Sequence, residues 1–245
     1  MPTFDKYSSE SFIRLLLQGE PGAGKTSMAL QFPKVWVLDC DQNLGGPTRF
    51  LKSRGLTLPV GYDIIDRDDS GKVVPDNMRW DRLISCVANL QKLVNDGTVQ
   101  TIVLDSMSKI NDYNKADVLR KNPTKTGGFE QTSWGFFYAN WVKLVGALTA
   151  SKVHLVLTAH DRVDKDEFDG STKIMLNTQG QFQAQAGSMF SDVWHAEIQS
   201  SGVPVVHKRV CRTIQSYKYA GLKNSFQLPD LFEFDWKTIE AKLKA

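Results

Sequence analysis

Gly19-Glu20-Pro21-Gly22-Ala23-Gly24-Lys25-Thr26 has residue types and spacing suited to holding a polyphosphate. It matches the phosphate-binding loop pattern G-x-x-x-x-G-K-S/T at every fixed position. Glycines let backbone N–H groups turn inward around a phosphate, and a helix start behind them adds partial positive charge. In that pattern Lys25 reaches the β- and γ-phosphates and the Thr26 hydroxyl ligates Mg²⁺. The expected nucleotide-contact set is Gly19, Glu20, Pro21, Gly22, Ala23, Gly24, Lys25, Thr26 and Ser27, with ATP and Mg²⁺ as cofactors.

Acids at strand ends supply the next candidates. Thr101-Ile102-Val103-Leu104-Asp105-Ser106 is an apolar, β-branched run closing on an acid, which suits a buried strand whose Asp105 completes the Mg²⁺ shell beside Thr26. Val35-Trp36-Val37-Leu38 runs into Asp39-Cys40-Asp41. A carboxylate at that end, beside a nucleotide, can act as general base for water, and Asp39 and Asp41 are both candidates; either can instead cap the following turn. Val153-His154-Leu155-Val156-Leu157-Thr158 leads into Ala159-His160-Asp161-Arg162, where His160 is the candidate γ-phosphate sensor. The bases of Val205–Arg212 either meet a phosphate across a subunit boundary or form the exposed face of an edge strand.

These residues need strands to carry them. Phe12–Leu17 reads as a buried strand before the loop, and Ser27–Phe32 as a helix stopped by Pro33. Gly45–Pro75 is rich in Gly, Pro and Asp and reads as loop, with a short strand at Gly61–Ile65 and an exposed turn at Asp66–Lys72. Asp76–Asn95 has apolar residues at helical spacing, with Asp76 as N-cap and Gly97 as stop. Helices are also predicted over Met107–Arg120, Gln131–Ala150 and Asp235–Leu243. Trp134, Phe137, Trp141, Leu144 and Leu148 share one face of the second, better suited to core than to base stacking. Lys121–Gly128 is a basic loop. After Arg162, Asp164–Lys173 reads as charged loop, Gln179–Gly187 as a mobile segment, and Lys173–Leu176, Val193–Ile198 and Val203–Ile214 as antiparallel strands.

At 245 residues, 41% apolar and net charge +3, the chain has material for a sizeable core and no general demand for an acidic partner. One domain over residues 1–245 is expected. Cys40, Cys86 and Cys211 lack metal spacing and suit reduced thiols in the cytoplasm. No stretch approaches the ~20 apolar residues of a membrane span, so no membrane partner is expected.

Assembled, these motifs resemble the RecA-like ATPase core, and most closely its phage-encoded relatives: RecA-like single-strand annealing proteins and the nucleotide-binding ATPases grouped with them. The resemblance covers roughly Phe12 to Leu228. Gly19–Thr26 looks like their Walker A loop and Val103-Leu104-Asp105-Ser106 like their Walker B strand. Asp41, rather than Asp39, sits where they carry the catalytic acid, though RecA itself uses Glu. His160 stands where they carry a γ-phosphate sensor, usually Gln. The resemblance implies an α/β fold: a mainly parallel central sheet flanked by helices, with antiparallel strands added in the C-terminal third. It places one DNA loop near Lys121–Phe129 and another within Val163–Lys173. Arg209-Val210-Cys211-Arg212 is similar to a strand that lends a cation across the protomer interface, with Arg212 as the expected nucleotide contact.

The resemblance also implies a Mg-ATP-dependent, oligomeric ATPase that binds single-stranded DNA in recombination or annealing, partnered by a single-stranded-DNA-binding protein, in the host cytoplasm. The lack of RecA's N-terminal oligomerisation element and C-terminal DNA-gathering domain is expected to favour annealing over strand exchange. An alternative is an accessory ATPase that remodels or loads a protein partner in phage DNA replication. A small-molecule kinase is disfavoured, because no arginine-rich lid is evident.

Overall fold

The computed structural model describes residues 12–165, 170–178 and 182–243. The lead Met1–Glu10, residues 166–169 of the expected second DNA loop, and Gln179–Gln181 of the expected mobile segment lie outside the described residues.

The chain runs β1 (Arg14–Gly19), α1 (Lys25–Ala29), β2 (Val35–Asp39), α2 (Gly45–Ser53), β3 (Gly61–Ile64), α3 (Arg79–Asn95), β4 (Thr101–Asp105), α4 (Met107–Lys121) and α5 (Gln131–Ala150). It continues through β5 (His154–Lys165), β6 (Thr172–Leu176), α6 (Phe182–Ala186), β7 (Asp192–Ser201), β8 (Val206–Arg212), β9 (Leu231–Glu233) and α7 (Trp236–Leu243). One sheet carries every described strand, in the order β3-β2-β4-β5-β1-β7-β8-β9, with β6 paired to the far end of β5. From β3 to β7 all neighbours are parallel, while β8, β9 and β6 are antiparallel to theirs. This is the expected α/β architecture, a mainly parallel central sheet flanked by helices with antiparallel strands added in the C-terminal third.

Alternation along the strands explains why both faces are covered. Leu16, Leu38, Ile102, Leu104, Leu155 and Leu157 point into one core, closed by α3, α4 and α5. Leu15, Leu17, Val35, Val37, Val103 and Val156 point into the other, with Met28, Leu51 and Ile239 from the helices. Near-continuous apolar runs are what a parallel sheet buried on both faces requires. On α5, Phe137, Trp141, Leu144 and Leu148 are buried. Trp141 stacks on Phe182 at 5.4 Å between ring centroids. Among the described residues no helix is long and apolar enough to cross a membrane, and the three cysteines are free and buried.

Four expectations are corrected. The helix after the loop ends at Ala29, not Phe32. The stretch read as loop holds α2, because Gly45-Gly46-Pro47 looks like a breaker although Pro is tolerated in a helix's first turn. Within Gln179–Gly187, Phe182–Ala186 is helical and anchored by buried Phe182 rather than free. The strand around Val193–Ile198 is parallel to β1 over Leu15↔Asp192 to Gln18↔His195, and antiparallel only to β8.

Candidate nucleotide site

Strand register gathers the candidates. Gly19 at the end of β1 pairs with His160 on β5, and Asp39 at the end of β2 pairs with Asp105 at the end of β4. Parallel strands ending level put these residues along one edge of the sheet, beyond the carboxyl ends where open α/β sheets place ligands. A cleft of about 780 Å³ lies there, lined by the loop from Pro21 to Ser27 (Ala23 excepted), by Asp41, Asp105 and His160, and by Phe50 and Arg209.

Gly22 and Gly24 have φ of 84° and 88°, backbone that L side chains rarely adopt. A Cβ on Gly24 would also lie 2.5 Å from Arg209 Nε. Gly24→Ala is therefore expected to cost about 1–2 kcal/mol of stability, read as a lower urea midpoint.

Lys25 is buried, and its Nζ donates to the carbonyls of Gly19 and Glu20, both at 2.9 Å. It also lies 3.4 Å from His160 Nδ1. Burial lowers the Lys25 pKa, and the nearby acids, led by Asp161, oppose that shift. The His160 pKa is lowered by burial and by the Lys25 ammonium. A neutral imidazole facing Lys25 suits a sensor that accepts or donates according to its surroundings.

Thr26 Oγ1 donates to Asp105 Oδ2 at 2.8 Å. The Thr158 hydroxyl donates to the other carboxylate oxygen. Burial raises the Asp105 pKa against these two hydrogen bonds. A hydroxyl and a carboxylate already in contact form a hard-oxygen pair that fits Mg²⁺, which keeps several waters and takes few protein ligands. Among the described residues no group of three or more His, Cys, Asp or Glu could hold a metal.

Asp39 and Asp41 separate in role. Asp39 is buried and accepts the N–H groups of Asp41 and Gln42 at 3.1 and 2.8 Å, so it holds the turn. Asp41 lines the cleft and is the one that water can approach.

Arg212 does not line the cleft. It is engaged within its own chain by Glu197 at 3.3 Å and Asp230 at 3.0 Å, and lies over the Tyr219 ring. Arg209, three residues earlier on β8, enters the cleft instead. Sequence reasoning named Arg209 only as part of the Arg209–Arg212 strand and chose Arg212 as the contact; it assigned no role to Phe50 or Thr158. Thr158 was legible as the polar residue one place beyond the Leu104↔Leu157 pair, next to Asp105.

A family profile of AAA domains, AAA_24, matches residues 11–224. A comparison with curated proteins finds no match. Among solved structures, a KaiC-like protein from the hyperthermophilic archaeon Pyrococcus horikoshii OT3 is similar at 17% identity, over 82% of this chain and 78% of that one, with a TM-score of 0.45.

Proposed function

The chain belongs to the AAA_24 family of AAA domains, and on that premise we propose that it is a Mg²⁺-dependent, oligomeric ATPase that binds single-stranded DNA in annealing or recombination. A P-loop ATPase core is what family and fold support directly. The observation that carries the catalytic reading is the 2.8 Å contact of Thr26 with Asp105 beside Lys25 in one cleft. Lys25 and the loop N–H groups would hold the triphosphate, and Thr26 and Asp105 the metal. Mg²⁺ bound there neutralises charge developing on the phosphates. Asp41 would orient or deprotonate water, and His160 would register the γ-phosphate.

Support for DNA comes from what β5 does after His160. It continues to Lys165 and pairs with β6, so the strand carrying the sensor also carries an outlying hairpin. Beside that hairpin, Tyr217 is 58% exposed with the Lys173 ammonium 4.8 Å from its ring centre. An exposed aromatic with a cation over it suits stacking and phosphate contact without sequence readout. The exposed Lys125 lies in the other expected DNA loop. Single-stranded DNA is expected to raise the ATP hydrolysis rate severalfold and to enlarge the assembly seen by light scattering with ATP. A rate and size indifferent to DNA would exclude this reading.

One observation favours the accessory-factor reading. The tip of the β7–β8 hairpin exposes Val203 fully and Val205 by 62%, an apolar surface better suited to protein than to nucleic acid. A partner protein that stimulates hydrolysis where DNA does not would select it.

A further inference from the structure

Arg209 projects from β8 onto the phosphate-binding loop of its own chain. Its guanidinium carbon lies 3.8 Å from the centre of the Phe50 ring on α2. Its Cδ and Nε are so close to Gly24 that a Cβ there would meet them at 2.6 and 2.5 Å. Nε is shielded from solvent and has no hydrogen-bond partner. Among the described residues no carboxylate pairs with Arg209. Arg54, which approaches the same Phe50 ring at 5.8 Å, disfavours the charged guanidinium further, beyond the effect of burial.

An arginine braced on an aromatic face, partly stripped of water and left without an anion costs free energy unless a ligand supplies one. Its neighbour Arg212 on the same strand shows the contrast, with two carboxylates in hand. The acids that line the cleft, Asp41 and Asp105, leave Arg209 unpaired as well.

The geometry points to Arg209 as a phosphate-binding residue acting in cis: it contacts the phosphates of the nucleoside triphosphate held by its own Gly24–Lys25 loop, with Phe50 as the platform that aims it. This rests on the nucleotide-site reading above and departs from the expectation that cations of this strand serve a neighbouring protomer.

The test is calorimetric titration with ATP and with inorganic tripolyphosphate, on protein dilute enough to be monomeric by light scattering. Wild type is compared with Lys25→Ala, Arg209→Gln, Arg209→Lys and Phe50→Leu. Loss of one charge-assisted contact predicts at least about tenfold weaker binding of both probes by Arg209→Gln. Arg209→Lys should recover part of this, and Phe50→Leu, which keeps the charge but not its platform, should lose less. The urea midpoint of Arg209→Gln should stay near wild type, which a merely structural role would not allow. Unchanged binding by the Arg209→Gln monomer would overturn the proposal. So would weaker ATP binding with unchanged tripolyphosphate binding, which marks a base contact. Activity restored by mixing Arg209→Gln with Lys25→Ala protomers would place the residue in trans and overturn it too. If wild type and Lys25→Ala bind ATP alike, the nucleotide site itself fails, and that outcome is distinct from the others.

Discussion

Asp105→Asn is expected to leave a folded protein whose ATP hydrolysis has fallen about a thousandfold. The substitution is nearly isosteric and keeps one acceptor for the hydroxyls of Thr26 and Thr158. It removes the single full negative charge in direct contact with Thr26, on which a divalent cation beside the phosphates would depend. Stability should move the other way or not at all. Asp105 is 5% exposed, and burial already opposes its ionised form, so a neutral amide avoids a desolvation cost. The paired measurement is steady-state ATPase against Mg²⁺ concentration, with urea unfolding of the same samples. Activity loss with an unchanged or raised urea midpoint, partly relieved by high Mg²⁺, is the expected pattern. Activity within tenfold of wild type would remove Asp105 from the metal site. Activity lost together with stability would make it a structural residue.

How legible this site was depends on whether one stretch of chain carries it. The Gly19–Thr26 loop needs only local backbone geometry, and its glycines state that geometry in the sequence. Asp105 and His160 were readable because buried parallel strands announce themselves as apolar runs and ligands gather at their ends. The choice between Asp39 and Asp41 turned on a turn whose N–H groups the carboxylate of Asp39 takes, and spacing alone left both open. The α2 helix was hidden by Gly45-Gly46-Pro47, whose local preferences suit a turn as well as a first helical turn. Arg209 was the least legible. Its place over Gly24 follows from the pairing of β8 with β7 and of β7 with β1, a relation among residues nearly two hundred positions apart. The same alternation turns Arg212 toward Glu197 and Asp230.

The pH dependence of stability should expose two opposed groups. Burial pushes the Asp39 pKa from an ordinary 3.8 to about 6, in spite of its two backbone hydrogen bonds. Burial among Phe12, Phe32 and Trp236 pushes that of His154 from 6.5 down to about 4. Each shift corresponds to about 3 kcal/mol. For Asp39, whose folded pKa is raised, the contribution is fully present below its unfolded value and lost as pH rises through about 6. For His154, whose folded pKa is depressed, the contribution is present above 6.5 and lost as pH falls through about 4. Between these limits the two slopes have opposite sign and nearly cancel, so neither is visible in wild type alone. Asp39→Asn, which keeps the acceptor for the Asp41 and Gln42 N–H groups, removes the first slope. It should stabilise the protein by up to about 3 kcal/mol at pH 7.5 and leave a steep loss of stability on acidification. His154→Gln keeps an acceptor for the Ile13 N–H and removes the second slope: it should change little at pH 7.5, where His154 is neutral folded and unfolded, gain up to about 3 kcal/mol toward pH 4, and show stability that falls as pH rises to 6. Urea midpoints of the three proteins at pH 4, 5.5 and 7.5 decide the matter. Variant-minus-wild-type differences that run parallel with pH, rather than in opposite directions, would show that burial does not set these two groups as described.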